Sequence, residues 1–445
     1  MIELTLTLLF LTFFAYFLNN KKLISPAFLY AFSFLFASLF ALLNEKNWLL
    51  NLNIKTFWVI TFSVIEFIII CLIVDKFIQL IQNSKPNNKK IIKNYAFSFK
   101  KGKKKFVIIE FIQMLFIAIS AMTIVRVTGQ PNLANAVNTL NYSNNGFSNV
   151  TVELPTYVSL MLTFNQYFGM IGYYLFAKSV IIRKKINIYY LIEILLALGS
   201  TLLTGARGGL LMALVSIVTF IFMFIYKSED INSIRIVKYI FIVLIGVILI
   251  LFLLQWSAKL LGRNVDTFKP LEYVSIYVGA EIKNLDVFIT ENNFPIHGQV
   301  WGEQTFYSLI NFAIKHLGLN LESYKLTLPF QYINGYSLGN VYTTLYPWLY
   351  DFGYKGIVFL TALMAFVSEM FYKFAGMNKL KIASLSQLFY GGIIAPTVVF
   401  SFFSNKFFEA FDIVSLTIAI IIWVLFNWIF RNDVEVITKN NKENV

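Results

Sequence analysis

The sequence predicts an all-α polytopic integral membrane protein, and three observations carry that prediction. Hydrophobic residues make up 58% of the 445 and charged residues 13%, about half the charged share of a soluble domain. Mean hydropathy is +0.68. The apolar residues also fall into runs of bilayer-crossing length, about twenty residues each. One stretch breaks the pattern: from Gln255 to about Thr344 the chain is polar and aromatic and holds no such run.

Apolar windows give about eleven transmembrane spans. They are Ile2–Leu18, Leu23–Leu43, Thr56–Val74, Phe106–Val127, Tyr157–Ile181, Ile186–Leu203, Leu210–Tyr226, Ile236–Leu254, Gly356–Phe374, Ile382–Phe403 and Ile413–Phe430. The first has no basic flank and no small-residue cleavage site, so it reads as a retained span and not a signal peptide. The whole chain, 1–445, is one transmembrane domain with two long connections. Residues 76–105 form a basic cytoplasmic loop. Residues 255–344 form a large external, partly helical loop between spans 8 and 9.

Basic residues set the orientation. Placing residues 76–105, the short Lys/Arg turns and the tail on one side gathers about 24 of the 37 Lys and Arg there. Lys and Arg of short loops mark the cytoplasmic face. The N-terminus is therefore outside and the C-terminus cytoplasmic. The turn Thr204-Gly205-Ala206-Arg207-Gly208-Gly209 and the Gln255–Thr344 loop face outward. The net charge of +14 is explained by this asymmetry and by anionic lipid, so no nucleic-acid partner is expected.

Several chemistries are excluded. No phosphate-cradling Walker loop is present, and no Asp-x-Asp pair for a metal-bound nucleotide sugar. The two histidines, His297 and His316, have no cysteine to join them as ligands, because Cys71 sits alone in an apolar run. No metal site and no cofactor is expected, and the single cysteine rules out an intrachain disulfide. An outward-facing site would need a donor already activated and carried through the membrane.

Within those limits, candidate groups emerge. Arg207 sits between glycines at the outer end of two spans, and the segment after Gly209 starts a helix; a helix N-terminus favours anions and a guanidinium grips phosphate bidentately. An interfacial anchor on a helical hairpin is the plainer alternative. Arg263 follows the next outward span, where it is either a second phosphate ligand or a snorkelling side chain. Glu281 and Asp286 lie on an amphipathic pattern marked by Ile276, Ile282, Leu285 and Ile289. Five residues apart, they are about 140° apart around a helix. His297 lies on a turn after Pro295. His316 reads as a packed helix histidine. Glu66, Glu110, Glu193 and Glu369 interrupt apolar runs, and intramembrane carboxylates point to function. Glu110 and Glu369 lie near cytoplasmic ends and can reach water; Glu66 and Glu193 are deeper and support an alternative reading: a proton-coupled transporter or flippase of lipid-linked oligosaccharide.

Four phrases, in order, resemble the bacterial oligosaccharide repeat-unit polymerases, the O-antigen polymerase (Wzy-type) family. The first is Thr204-Gly205-Ala206-Arg207-Gly208-Gly209-Leu210-Leu211. The second is Gly279-Ala280-Glu281-Ile282-Lys283-Asn284-Leu285-Asp286. The third is Gly302-Glu303-Gln304-Thr305-Phe306-Tyr307. The fourth runs from Gly339-Asn340-Val341-Tyr342 through Tyr346-Pro347 to Tyr350-Asp351-Phe352-Gly353-Tyr354-Lys355-Gly356. The resemblance implies a GT-C-like membrane fold and a metal-independent glycosyltransferase at the outer face of the bacterial cytoplasmic membrane. It would join undecaprenyl-pyrophosphate-linked oligosaccharides into O-antigen or capsule, with a chain-length regulator and a flippase as further partners. On this reading Glu281, Asp286 and His297 are the catalytic candidates. Arg207, Arg263, Tyr277, Lys283, Glu303 and Tyr342 are the substrate-binding ones.

Overall fold

The computed structural model describes residues 1–83, 96–98, 103–144, 152–205, 207–226, 270–296, 298, 300–321, 326, 328–376, 384–431 and 435–437. The expected span Ile236–Leu254 and the candidates Arg263 and His297 lie outside these residues.

In chain order the helices begin with α1 (Ile2–Leu18), α2 (Pro26–Leu43) and α3 (Ile54–Asn83). After strand β1 (Ala96–Ser98) come α4 (Lys103–Thr128), α5 (Leu133–Asn144), α6 (Thr156–Lys178), α7 (Ile188–Leu203) and α8 (Arg207–Ile225). Next are α9 (Pro270–Glu291), α10 (Tyr307–His316), a hairpin of β2 (Gln331–Ile333) and β3 (Tyr336–Gly339), and α11 (Leu345–Gly376). The chain closes with α12 (Leu385–Phe389), α13 (Ala395–Val399), α14 (Lys406–Glu409), α15 (Ile413–Ile429) and β4 (Glu435–Ile437), which pairs antiparallel with β1.

The protein is predominantly helical, and its apolar helices are those of a membrane protein. Among the described residues six helices are long and apolar enough to cross a bilayer: Pro26–Leu43, Ile54–Ile81, Lys103–Thr128, Gly208–Ile225, Leu345–Gly376 and Leu385–Phe402. Ile2–Leu18, Ile188–Leu203 and Ile413–Ile429 are apolar but shorter. Local chemistry sets the helix ends. Pro26 opens α2, where its missing N–H costs nothing, and the Asn187 side chain caps α7 by accepting the Tyr189 N–H. Two spans differ from their sequence windows. The helix expected to start near Gly356 begins at Leu345 and breaks at Gly353, whose φ of 64° only glycine adopts readily. The Ile382–Phe403 window is a chain of short helical pieces interrupted by a π-turn at Tyr390–Ile394.

Two compact units divide the chain. The first takes Met1–Ser84, Val265–Lys373 and Ile394–Ile413. Its α1 and α3 turn Leu6, Phe10, Phe13, Phe62 and Ile73 outward, the apolar surface expected of lipid-facing helices. Between them α2 is mostly buried, and α9 packs along it.

The second unit takes Lys85–Asn264, Phe374–Ile393 and Val414–Val445. Here α4, α6 and α7 form the central bundle, with α8 against α6 and α7. The connection between spans 4 and 5 contains a helix that periodicity did not reveal. Through Ala136, Val137 and Leu140, α5 buries an apolar face against Ile124, Val158, Leu162 and Leu203.

Candidate functional site

The four sequence phrases become physically interpretable when their polar atoms are accounted for one by one. Gly205, in the first phrase, has φ 71°, and a Cβ there would sit 2.7 Å from the Asn141 Cβ. Gly209 meets the Thr201 methyl at 2.5 Å in the same sense, whereas nothing lies within 4 Å of a Cβ at Gly208. Gly209 thus permits close packing of α8 on α7, and Gly205 lets the turn between them lie against α5. Arg207 begins α8.

Helix α9 carries the second phrase and is buried almost all round between Tyr273 and Ile289. Gly279 makes this possible: a Cβ there would lie 2.6 Å from the Ala41 nitrogen and 2.8 Å from the Phe40 carbonyl carbon. The backbones of α9 and α2 touch at that point. The polar side chains that follow are mostly committed to holding the chain. Lys283 Nζ donates to the Leu49 carbonyl at 3.0 Å. Asp286 Oδ1 accepts the Asn53 N–H at 2.8 Å. Together they strap residues 44–53, the link between α2 and α3, onto α9. Asn284 Nδ2 donates to the carbonyls of Val341 at 2.8 Å and Leu338 at 3.3 Å, which fixes the end of the β-hairpin.

Glu281 differs from these neighbours. It is fully buried, and neither carboxyl oxygen has a hydrogen-bond partner. Burial pushes its carboxyl well above the ordinary range. The Oδ1 of Asn284, one turn further on, is also unpaired. Tyr277, one turn before Glu281, is half-buried and its ring lies 5.1 Å from that of Tyr273.

The third and fourth phrases lock onto each other. Asp351 Oδ2 accepts the Thr305 N–H at 2.7 Å and Oδ1 the Gln304 N–H at 3.4 Å. Asn405 Nδ2 donates to the Thr305 carbonyl at 2.9 Å, and its Oδ1 accepts from Trp348 Nε1 at 3.2 Å. Glu303 Oε2 accepts the Val300 N–H at 3.3 Å, and its carboxylate lies where a Cβ at Gly298 would project, so a side chain there would displace it. Tyr342 is buried; its hydroxyl donates to the Pro329 carbonyl at 3.0 Å and accepts from Gln331. Its ring packs 4.4 Å from that of Tyr346, which in turn lies 4.1 Å from Phe288.

The structure therefore brings Tyr277, Glu281, Lys283 and Asp286 onto one helix and ties Glu303 and Tyr342 into the scaffold around it. Lys283, Asp286 and Tyr342 have visible packing roles, while Glu281 holds uncommitted acceptors. Sequence reasoning missed Asn284, Asp351 and Asn405 as anchors. Two of them stood inside the quoted phrases, but their partners lie dozens of residues away. Neither a protein-family model, nor a curated protein, nor a solved structure matches the chain.

Proposed function

We propose that the protein is a membrane glycosyltransferase that polymerises polyprenyl-pyrophosphate-linked oligosaccharide repeat units into a surface polysaccharide. The proposal includes a GT-C-like fold of about eleven spans, an outside N-terminus and a site at the outer face of the bacterial cytoplasmic membrane. Glu281 is the observation that supports it most. A carboxyl with two unpaired oxygens inside a packed helix costs folding free energy, which marks it as a group kept for chemistry.

In the reaction, the acceptor hydroxyl oxygen of one lipid-linked unit attacks the anomeric carbon of another. The bond from that carbon to the pyrophosphate oxygen breaks, and the hydroxyl proton passes to Glu281 as general base. Arg207 and Arg263 bind the departing pyrophosphate, where charge grows in the transition state. Holding two lipid-anchored substrates in line supplies much of the remaining acceleration. Asp286 and Lys283 act through the position of α9.

Purified protein in lipid nanodiscs, given synthetic lipid-linked repeat units without ATP or divalent metal, is expected to form polymer. Glu281→Gln, with unchanged helicity and elution volume, is expected to form none. Polymer from Glu281→Gln at the wild-type rate would overturn the assignment of the base. Activity lost on chelation by EDTA would overturn the metal-independent mechanism.

A further inference from the structure

A second group of buried polar side chains lies in the other compact unit, where α4, α6 and α7 meet. One face of α7 carries Glu193, Ala197 and Ser200, and one face of α6 carries Asn165, Gly169 and Gly172. These are the i, i+4, i+7 positions of single helical stripes. The stripes run antiparallel and in register. A Cβ at Gly172 would meet the Glu193 Cβ at 2.8 Å, and one at Gly169 the Ala197 Cβ at 2.0 Å. Asn165 Nδ2 donates to Ser200 Oγ at 2.9 Å and to the Gln113 carbonyl at 3.2 Å. Small residues thus let α6 and α7 close up and leave Glu193 about 10 Å along the helix from the Asn165–Ser200 bond. On α4, Glu110 and Gln113 are one turn apart. The Gln113 amide lies beside the Glu193 carboxyl, and Glu110 is close enough for its charge to act on Glu193.

All of these groups are buried. Unpaired within them are both oxygens of Glu193, Oε1 of Glu110, both amide atoms of Gln113 and Oδ1 of Asn165. Acceptors outnumber donors. Among the described residues no cation pairs with these two carboxylates: Lys105 Nζ is bonded to the Ile429 carbonyl, Lys178 Nζ lies over the Tyr174 ring, and Arg126 lies at the far end of α4. Beyond Arg207, α8 has no titratable residue, and α15 has none at all. Tyr142 is the sole titratable residue of α5, whose apolar face packs against Ile124, near the Arg126 end of α4. Two unpaired charges in such surroundings would be strongly disfavoured. Protons remove that cost and supply the missing donors. The groups also lie in a row along the helices, and no cluster of three or more His, Cys, Asp or Glu suited to a metal occurs among the described residues.

We propose that Glu193 and Glu110, with Gln113, form a proton-binding site inside the helical bundle. It takes up a proton from water at the Lys103 end of α4 and returns it there or passes it along the Asn165–Ser200 row. The inference does not rest on the polymerase reading, since it uses no residue of that site.

A lipophilic carbodiimide such as dicyclohexylcarbodiimide adds across a protonated carboxyl in apolar surroundings and leaves a stable acylurea. With the full-length protein in nanodiscs, peptide mass spectrometry is expected to find the adduct on Glu193. Its yield should fall about tenfold per pH unit above its midpoint, the signature of a single titrating proton. Glu193→Gln should lose the adduct while keeping the wild-type elution profile. The wild-type measurement stands alone if that variant fails to fold. No adduct on Glu193 or Glu110 at any pH would overturn the proposal. So would protection by NaCl but not choline chloride at constant pH, which would make the ligand sodium.

Discussion

The Asp286 carboxylate and the Asn53 backbone amide, 233 positions apart in sequence, meet at 2.8 Å. That bond, with the one from Lys283 to Leu49, joins a helix late in the chain to the connection between α2 and α3. It shows why an acidic residue in a motif need not be catalytic.

Asp286 is expected to behave as an anchor. Replacing it by Ala should destabilise the protein by about 2 kcal/mol, the worth of a buried hydrogen bond to a charged group. Asp286→Asn keeps an acceptor and should cost less than half as much. Thermal unfolding in detergent measures both. Polymer yield per folded molecule should stay within a few-fold of wild type.

Glu281 should show the opposite profile. Losing a general base costs on the order of 10²- to 10⁴-fold in rate, so Glu281→Gln should be nearly inactive. Its stability should rise with the substitution. The folded-state pKa of Glu281 is raised, so the protonated carboxyl favours the folded state at low pH. That advantage disappears as pH climbs from the unfolded value of about 4.3 through the folded one. Melting temperatures measured across this window should fall in wild type relative to Glu281→Gln. Over the same window the wild-type rate should climb with pH, because the base must be ionised to accept a proton.

The motif glycines should separate by environment. Gly279→Ala forces a Cβ against the α2 backbone, an overpacking worth about 1–3 kcal/mol. Gly205→Ala is strained by its positive φ and by Asn141. Gly208→Ala meets open space inside a helix and should stabilise by about 0.5–1 kcal/mol. Expression level and melting temperature of the three variants test the order. A Gly279→Ala protein as stable as wild type would show that α9 and α2 do not touch backbone to backbone.

Arg207 is expected to matter for rate more than for folding. Arg207→Lys keeps the charge but loses the planar fork, and activity should fall about a hundredfold, or roughly 3 kcal/mol in the transition state. Wild-type polymer length from cells carrying Arg207→Ala at normal protein level would remove it from the mechanism.

Much of the helical layout was legible because apolar runs of membrane length announce themselves over twenty residues at a time. The amphipathic stripe through Ile276, Ile282 and Leu285 likewise marked α9. The division of labour along it was not legible. Glu281, Lys283 and Asp286 are all charged residues in one window, and only partners at Leu49 and Asn53 reveal which two hold the link between α2 and α3. The same holds for Asp351 and Asn405, whose bonds to residues 304 and 305 leave no local pattern. Helix α5 escaped notice because its stripe of Ala136, Val137 and Leu140 is short and set among asparagines. The helical turns before Gly353 escaped notice because Tyr350, Asp351, Tyr354 and Lys355 interrupt the apolar pattern ahead of Gly356.

The contact of Gly279 with Phe40 and Ala41 works as a detent. Its neighbours Val278 and Ala280 both carry a Cβ, so sliding α9 by one residue in either direction would bring a carbon against the α2 backbone where only hydrogen fits. Each step of that slide would move Glu281 by about 1.5 Å, and the straps at Lys283 and Asp286 resist it from the other end. The depth of one carboxyl is thereby indexed to a single missing methyl group two residues before it.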